Sequence, residues 1–286
     1  MKKVAGLILG LIPVSVYAEC VPVPDCASIG YTETSCDGGS IKCPFDTSKL
    51  KCIPCDSSFR FACTGENVTG GIGNVCNGKY VTCSCDEEAG YYFQNGECIC
   101  DTSCSAGNIY YSDGSCSSCL EENKTAVGIV VKDKELIMSL DTGTTSWSAD
   151  NQTDLPNIIN YEYGSKDDYA GQENTLAIVE YYGTDADVDK FAGIYCYKYA
   201  PDGLKNSAGN WYLPAVGELY SYWFKNYNSV ENAFNKLAVS IENGYFWTST
   251  EHNLYKACFF NPKTGNATTG YHKHEYFISV TCFLKI

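Results

Sequence analysis

Asn210-Trp211-Tyr212-Leu213-Pro214-Ala215-Val216-Gly217-Glu218-Leu219, and further on Phe246-Trp247-Thr248-Ser249-Thr250-Glu251, decide how the second half of this 286-residue chain folds. Trp211-Tyr212-Leu213-Pro214 is a sharp boundary, because Pro pre-sets φ and disfavours helix in the residue before it. An extended approach ends there and a helix begins, expected over 217–238 with a bend near 226–229. Glu218 and Leu219 project from its first turn. Phe246 to Ser249 reads as a strand, and so does Lys256 to Phe260, turning at 262–265. Trp247, flanked by Phe246, is expected in the core; the alternative is a stacking platform for a sugar. Residues 276–286 alternate Phe277, Ser279, Thr281 and Phe283 against Ile278, Val280, Cys282 and Leu284, which predicts one final strand.

Working back toward the N-terminus, Val127–Val131 and Glu135–Leu140 flank Lys132-Asp133-Lys134 as a hairpin. Gly, Thr, Ser and Asp then dominate to about residue 172. Helical spacing runs over 173–182 and again over 188–199, with Asp187 as its cap. Helices between a first hairpin and a last set of strands make an α+β layout whose terminal strands are expected to pair.

Charge excludes several functions. Acidic residues number 34 and basic residues 20, a net charge of −14, and Arg60 is the single arginine. Neutralising phosphates takes clustered Arg and Lys. Nucleic acid and anionic lipid are therefore poor partners, as is a polyanionic glycan in the absence of a local basic patch. The 23 tyrosines suit a polar, aromatic-studded surface.

The 18 cysteines point to a compartment. Fifteen fall between Cys20 and Cys119, and only Cys196, Cys258 and Cys282 lie beyond. Met1-Lys2-Lys3, the apolar run Val4–Val16 and the small-residue site ending at Ala18 read as a signal peptide over 1–18. The run is too short for a stable membrane anchor. Glu19 before Cys20 departs from a lipid-attachment box. No later apolar run approaches the length of a span, so no transmembrane segment is expected after cleavage. A buried N-terminal helix is the alternative. Export makes the cysteines a disulfide framework of up to nine bridges, whose connectivity cannot be read. A secreted or cell-surface location is expected, with the periplasm as the other choice.

Residues 19–122 lack long helical periodicity and long aliphatic runs, so crosslinks must hold them. Cys36–Cys43 matches Cys76–Cys83 in form. Tyr91-Tyr92 and Tyr110-Tyr111 each precede a turn, Asn95-Gly96 or Asp113-Gly114, and then a cysteine. Asn-Gly and Asp-Gly are hairpin turns. Small stapled hairpins are expected, in the style of EGF-like and receptor cysteine-rich modules. Cys52-Ile53-Pro54-Cys55 and Cys116-Ser117-Ser118-Cys119 lack the strand-to-helix context of a redox pair and read as structural.

The motifs of residues 123–286 resemble a known family. Trp211, Leu213, Pro214, Glu218 and Leu219 look like its W-x-LP-x-x-x-EL signature, and Trp247, Ser249 and Glu251 like its YW-S-S-x-E signature. Val280-Thr281-Cys282-Phe283 is similar to its V-R-C-V ending, with Thr281 where Arg is usual. Together these resemble the Lcl-type domain, the C-terminal domain family of Legionella collagen-like protein. That family is distantly similar to C-type-lectin-like folds and to formylglycine-generating enzymes. The resemblance implies a C-type-lectin-like head and a disulfide between Cys196 and Cys282. It leaves Cys258 over, with a cysteine of the N-terminal region as one partner to consider. Glu251 is expected as a framework carboxylate.

No catalytic constellation appears. None of the calcium tripeptides EPN, QPD or WND occurs. Asp185, Asp187 and Asp189 read as a helix N-terminal charge cluster. His252, His272 and His274 are the only histidines; if extended, His272 and His274 share a face, and the choice is between a transition-metal site and exposed polar residues. No metal and no cofactor is expected. A binding surface is the better-supported reading: His252, Asn253, Tyr255, Lys256, Tyr271, His272, Lys273, His274 and Tyr276 cluster beside the signature. Tyr gives contact area at low entropic cost, and Asn and His give adaptable hydrogen bonds. The bland alternative is a solvated hairpin surface. The expectation is a non-catalytic exported bacterial protein whose head binds an extracellular or cell-envelope glycan or protein. A formylglycine-generating-type enzyme and a self-associating structural envelope component are the alternatives.

Overall fold

The computed structural model of the chain describes residues 97–150, 165–241, 244–269, 271–274 and 278–286 without interruption, and shorter pieces within 26–94 and 154–162. The expected signal peptide, Cys36, Cys55, the Cys76–Cys83 repeat and Tyr276 lie outside the described residues. The chain divides into two compact units, 1–63 with 71–82, and 64–70 with 83–286.

In the first unit, Gly39–Lys42 pairs antiparallel with Leu50–Ile53, and Cys26 bridges Cys43. Arg60–Phe61 pairs with Gly73–Asn74. The second unit opens with Val68–Thr69 paired to Ser84–Cys85, followed by a Tyr91–Gln94 and Glu97–Cys100 hairpin tied by Cys85–Cys98 and Cys100–Cys119. A third bridge joins Cys104 to Cys116. The cysteines of Cys116-Ser117-Ser118-Cys119 are thus both structural, each bonded to a partner outside that motif.

The head contains two sheets. Strands β1 (Ile109–Tyr111), β2 (Cys116–Ser117), β3 (Ala126–Lys132), β4 (Leu136–Ser139), β6 (Trp211–Tyr212) and β11 (Phe283–Lys285) form a six-stranded sheet in the order β2-β1-β3-β4-β11-β6. Strands β5 (Gly143–Thr145), β7 (Phe246–Asn253), β8 (Lys256–Asn261), β9 (Asn266–Thr268) and β10 (Ile278–Val280) form a second, ordered β5-β10-β7-β8-β9. Helix α1 is Gly171–Tyr182 and α2 is Ala192–Lys198. Mixed sheets and helices make the class α+β, and the first hairpin does meet the last strand, as β4 pairs with β11.

Side chains alternate across a strand, so β3 and β4 are apolar on both faces. Val130 and Ile137 point into a core with Trp147, Ile178, Ile194, Trp211 and Trp247. Ile129, Val131 and Met138 point into another with Leu219, Trp223, Phe234, Phe246 and Phe283. Ile109 and Tyr111 on β1 are fully buried against β3. The compact head therefore begins well before residue 123, because residues from the cysteine-rich region complete its sheet.

Three local expectations are corrected. The final stretch is two strands, β10 and β11, in different sheets. Cys282 breaks the run by exchanging hydrogen bonds with Ser139: Ser139 N donates to Cys282 O (2.8 Å), and Cys282 N to Ser139 Oγ (3.1 Å). The helix after Pro214 bends earlier than expected. It runs as α3 (Val216–Glu218), a π turn over Leu219–Trp223, a 3₁₀ turn over Phe224–Asn226, and α4 (Tyr227–Lys236). The π turn carries three aromatic residues, Tyr220, Tyr222 and Trp223, and Asn226 Nδ2 donates to Tyr222 O (3.0 Å) and Val131 O (3.2 Å). Finally, α2 is shorter than 188–199; Asp187 instead accepts from Asp189 N (3.1 Å) in a turn before it.

Candidate functional site

The signature residues Trp211, Leu213, Pro214, Leu219, Trp247 and Ser249 are buried inside the head. Trp247 is a core residue: its indole donates to Thr145 O (2.9 Å) and its ring meets Phe259 edge-on. Cys196 and Cys282, the pair the resemblance implies, are bonded. Cys258, left without an assigned partner by the sequence, is a free, buried thiol on β8, and burial pushes its pKa up to about 12.

Glu218 shows what its place in the motif does. Its carboxylate accepts from Ala215 N (2.8 Å) and from the Tyr212 hydroxyl (3.0 Å), closing the first turn of α3. Gly171 is required opposite it, since a Cβ there would collide with the carboxylate. Burial raises the folded pKa of Glu218 from 4.5 to about 7, outweighing those two hydrogen bonds. The folded state therefore holds this proton more tightly than the unfolded chain does. The stabilisation is whole below about pH 4.5 and is lost as pH rises through about 7. Urea unfolding of the parent and of Glu218→Gln from pH 4.5 to 8 should show the parent losing up to about 3 kcal/mol relative to the variant; parallel curves would refute this.

Glu251 and Lys273 are fully buried and paired, Nζ to Oε1. Lys273, which the sequence places on the binding surface, is instead buried between an exposed His272 and a half-buried His274, where it meets the Glu251 carboxylate. Its ammonium lies 4.7 Å from the Trp147 ring centre, a cation–π contact. Its backbone ties neighbouring loops, with Lys273 N donating to Tyr255 O (3.0 Å) and Ser148 N to Lys273 O (3.0 Å). Glu251 Oε2 accepts from Leu155 N (3.3 Å). Burial raises the Glu251 pKa and lowers that of Lys273, while their mutual attraction opposes both shifts.

This anchor sets the surface above it. Tyr271 is 49% exposed and stacked on Phe259, with ring centres 4.9 Å apart. Tyr255 is also exposed, at 40%. His272 bridges to Lys256, and its ring centre is 5.7 Å from that of His274. Asn253 has a framework role: its side-chain oxygen accepts from Tyr255 N (2.9 Å) and Lys256 N (3.0 Å), shaping the β7–β8 turn. His252 is half-buried and its Nδ1 donates to Tyr161 O (2.7 Å), so it serves the loop rather than the surface. The structure thus gathers Tyr255, Lys256, Tyr271, His272 and His274. No group of three or more His, Cys, Asp or Glu side chains suited to a metal occurs among the described residues. No helix of the described residues is long and apolar enough to cross a membrane.

The class defined so far is a disulfide-bonded α+β head following a cysteine-rich region. No protein-family model matches the sequence, and no curated protein does. A crystal structure of a fimbrial protein from Bacteroides ovatus ATCC 8483 is similar at a TM-score of 0.40 and 20% identity, over 64% of this chain and 49% of that one. The chain spans about half the length of that structure.

Proposed function

We propose that the chain is an exported bacterial adhesion-type protein. Its C-type-lectin-like head binds an extracellular or cell-envelope ligand, a glycan or a protein, without catalysis. The contact surface is Tyr255, Lys256, Tyr271, His272 and His274. The observation that carries this reading is the buried Lys273–Glu251 pair directly beneath that surface. It holds the exposed Tyr255, Tyr271 and His272 on a rigid base, which lowers the ordering cost of binding. The described disulfides favour an oxidising, extracytoplasmic compartment. A binding role is preferred over a cysteine-dependent metalloenzyme because Cys282 is bonded to Cys196 and Cys258 is buried, so they do not form a reactive thiol pair.

The test is binding of the mature, oxidised chain to glycan and protein arrays. A ligand whose binding is lost in Tyr271→Ala/His274→Ala, with the thermal midpoint unchanged, supports the reading. No ligand on either array, or undiminished binding by the double variant, sinks it.

A further inference from the structure

Away from that surface, a cleft of about 400 Å³ opens beside the end of β11 and the π turn. Its lining includes Tyr169, Tyr212, Tyr222, Glu218, Lys132 and Lys285. The volume sits near the lower end of small-molecule sites, which run about 300–1,000 Å³.

Tyr169 is the unusual member. It is 49% exposed, yet it is held at several points. Its hydroxyl shares a hydrogen bond with Ser221 Oγ (2.8 Å), and its ring meets Tyr222 edge-on, with centres 6.4 Å apart. Its segment lies directly on Gly217, where a Cβ would fall 2.4 Å from Asp168 O and 2.9 Å from Tyr169 Cε2. The preceding residue, Asp168, is fully buried. Its carboxylate accepts from Ala170 N (2.9 Å), Asn174 Nδ2 (2.9 Å) and Thr250 Oγ1 (2.7 Å). The π turn places Ser221 and Tyr222 under Tyr169; π turns are frequent at functional sites. An aromatic ring fixed this firmly while half in water gains little from burial. Its rigidity is what a stacking platform needs, since little side-chain freedom remains to be lost on binding.

The rest of the lining selects the ligand. Lys132 is paired with Glu135, and its ammonium lies 5.1 Å from the Tyr222 ring centre, so the open aromatic face belongs to Tyr169. Lys285 stands near the Glu218 carboxyl, and Lys132 is offset by Glu135, so the lining carries little net charge. Aliphatic lining is confined to Leu136 and Ile286. An apolar face bounded by hydroxyl, ammonium and carboxylate groups matches a sugar ring, which offers a C–H face rimmed by hydroxyls. We propose that this cleft binds one pyranose ring of a neutral glycan, stacked on Tyr169. The site is separate from the Tyr271 surface and does not depend on that reading.

The test uses the mature, oxidised full-length protein and the methyl glycosides of glucose, galactose, mannose and N-acetylglucosamine, followed by saturation-transfer NMR. At least one glycoside should show transfer. Tyr169→Ala should weaken its binding about tenfold or more. Tyr169→Phe, which keeps the ring and loses only the Ser221 bond, should stay within about threefold. Tyr271→Ala should leave binding unchanged, which separates this site from the other surface. Equal thermal midpoints confirm that each variant is folded. No transfer to any of the four, undiminished binding by Tyr169→Ala, or loss in Tyr271→Ala would overturn the proposal.

Discussion

Lys273→Met should destabilise the head by about 3–5 kcal/mol, the usual consequence of stranding one member of a buried ion pair. Both side chains are wholly shielded from water, so the remaining Glu251 carboxylate would have no solvent and no paired cation among the described residues. Leu155 N would be its one described hydrogen-bond donor from a backbone group. Pairing Lys273→Met with Glu251→Gln removes both charges and keeps an acceptor for that N–H, so most of the loss should be recovered. The sign of the pH effect is also set. Without Lys273 the buried Glu251 folds most readily when protonated, so the single variant should be nearer the parent at pH 5 than at pH 8. Urea unfolding followed by tryptophan fluorescence reads this directly, because Trp147 touches the pair. A single variant within about 1 kcal/mol of the parent at pH 8 would show that the pair anchors nothing.

The second large effect is expected from Cys196→Ala/Cys282→Ala. This bridge spans 86 residues, against 12 for Cys104–Cys116. Loop-closure entropy then predicts a loss of about 4–5 kcal/mol for the first and about 3 kcal/mol for the second. Against a typical domain stability of about 5–15 kcal/mol, either is a large fraction. The longer bridge also ties α2 to the point where the chain passes from one sheet to the other, so its removal loosens both cores. Guanidinium midpoints of the two double variants should fall in that order; equal midpoints would mean that strain or residual structure, not loop length, sets the contribution.

Individual residues show why parts of this molecule can be read from sequence and others cannot. Trp211, Leu213, Pro214 and Trp247 are legible because local chemistry dictates them: proline restricts its neighbour, and a tryptophan among aromatics and small polar residues is buried. Glu218 is legible as a first-turn residue, but its raised pKa is not, since that follows from burial by segments far along the chain. Lys273 reads as surface because it stands in a polar string between two histidines, while its partner Glu251 lies 22 residues away. Tyr169 gave no signal at all. It lies in an irregular stretch, and its platform is made by Gly217, Ser221 and Tyr222, about fifty residues later. The final stretch reads as one strand because alternation describes faces, whereas the chain switches sheets at Cys282 without interrupting that alternation.

Sequence alone determined that this chain is acidic, cysteine-dense at its N-terminal end, α+β in its second half, and turned from strand to helix at Pro214. Each of these follows from composition or from backbone rules acting over a few residues. The fold alone decided which polar side chains became internal anchors and which stayed available to a ligand. Lys273, Asp168 and Tyr169 are all unremarkable polar residues in their local context, and Glu251, though legible as a framework carboxylate, has a partner that its own segment does not reveal. Their roles arise from contacts between segments distant in the chain, where exclusion of water makes a charge pair or a hydrogen-bond set strong enough to hold an exposed ring in place.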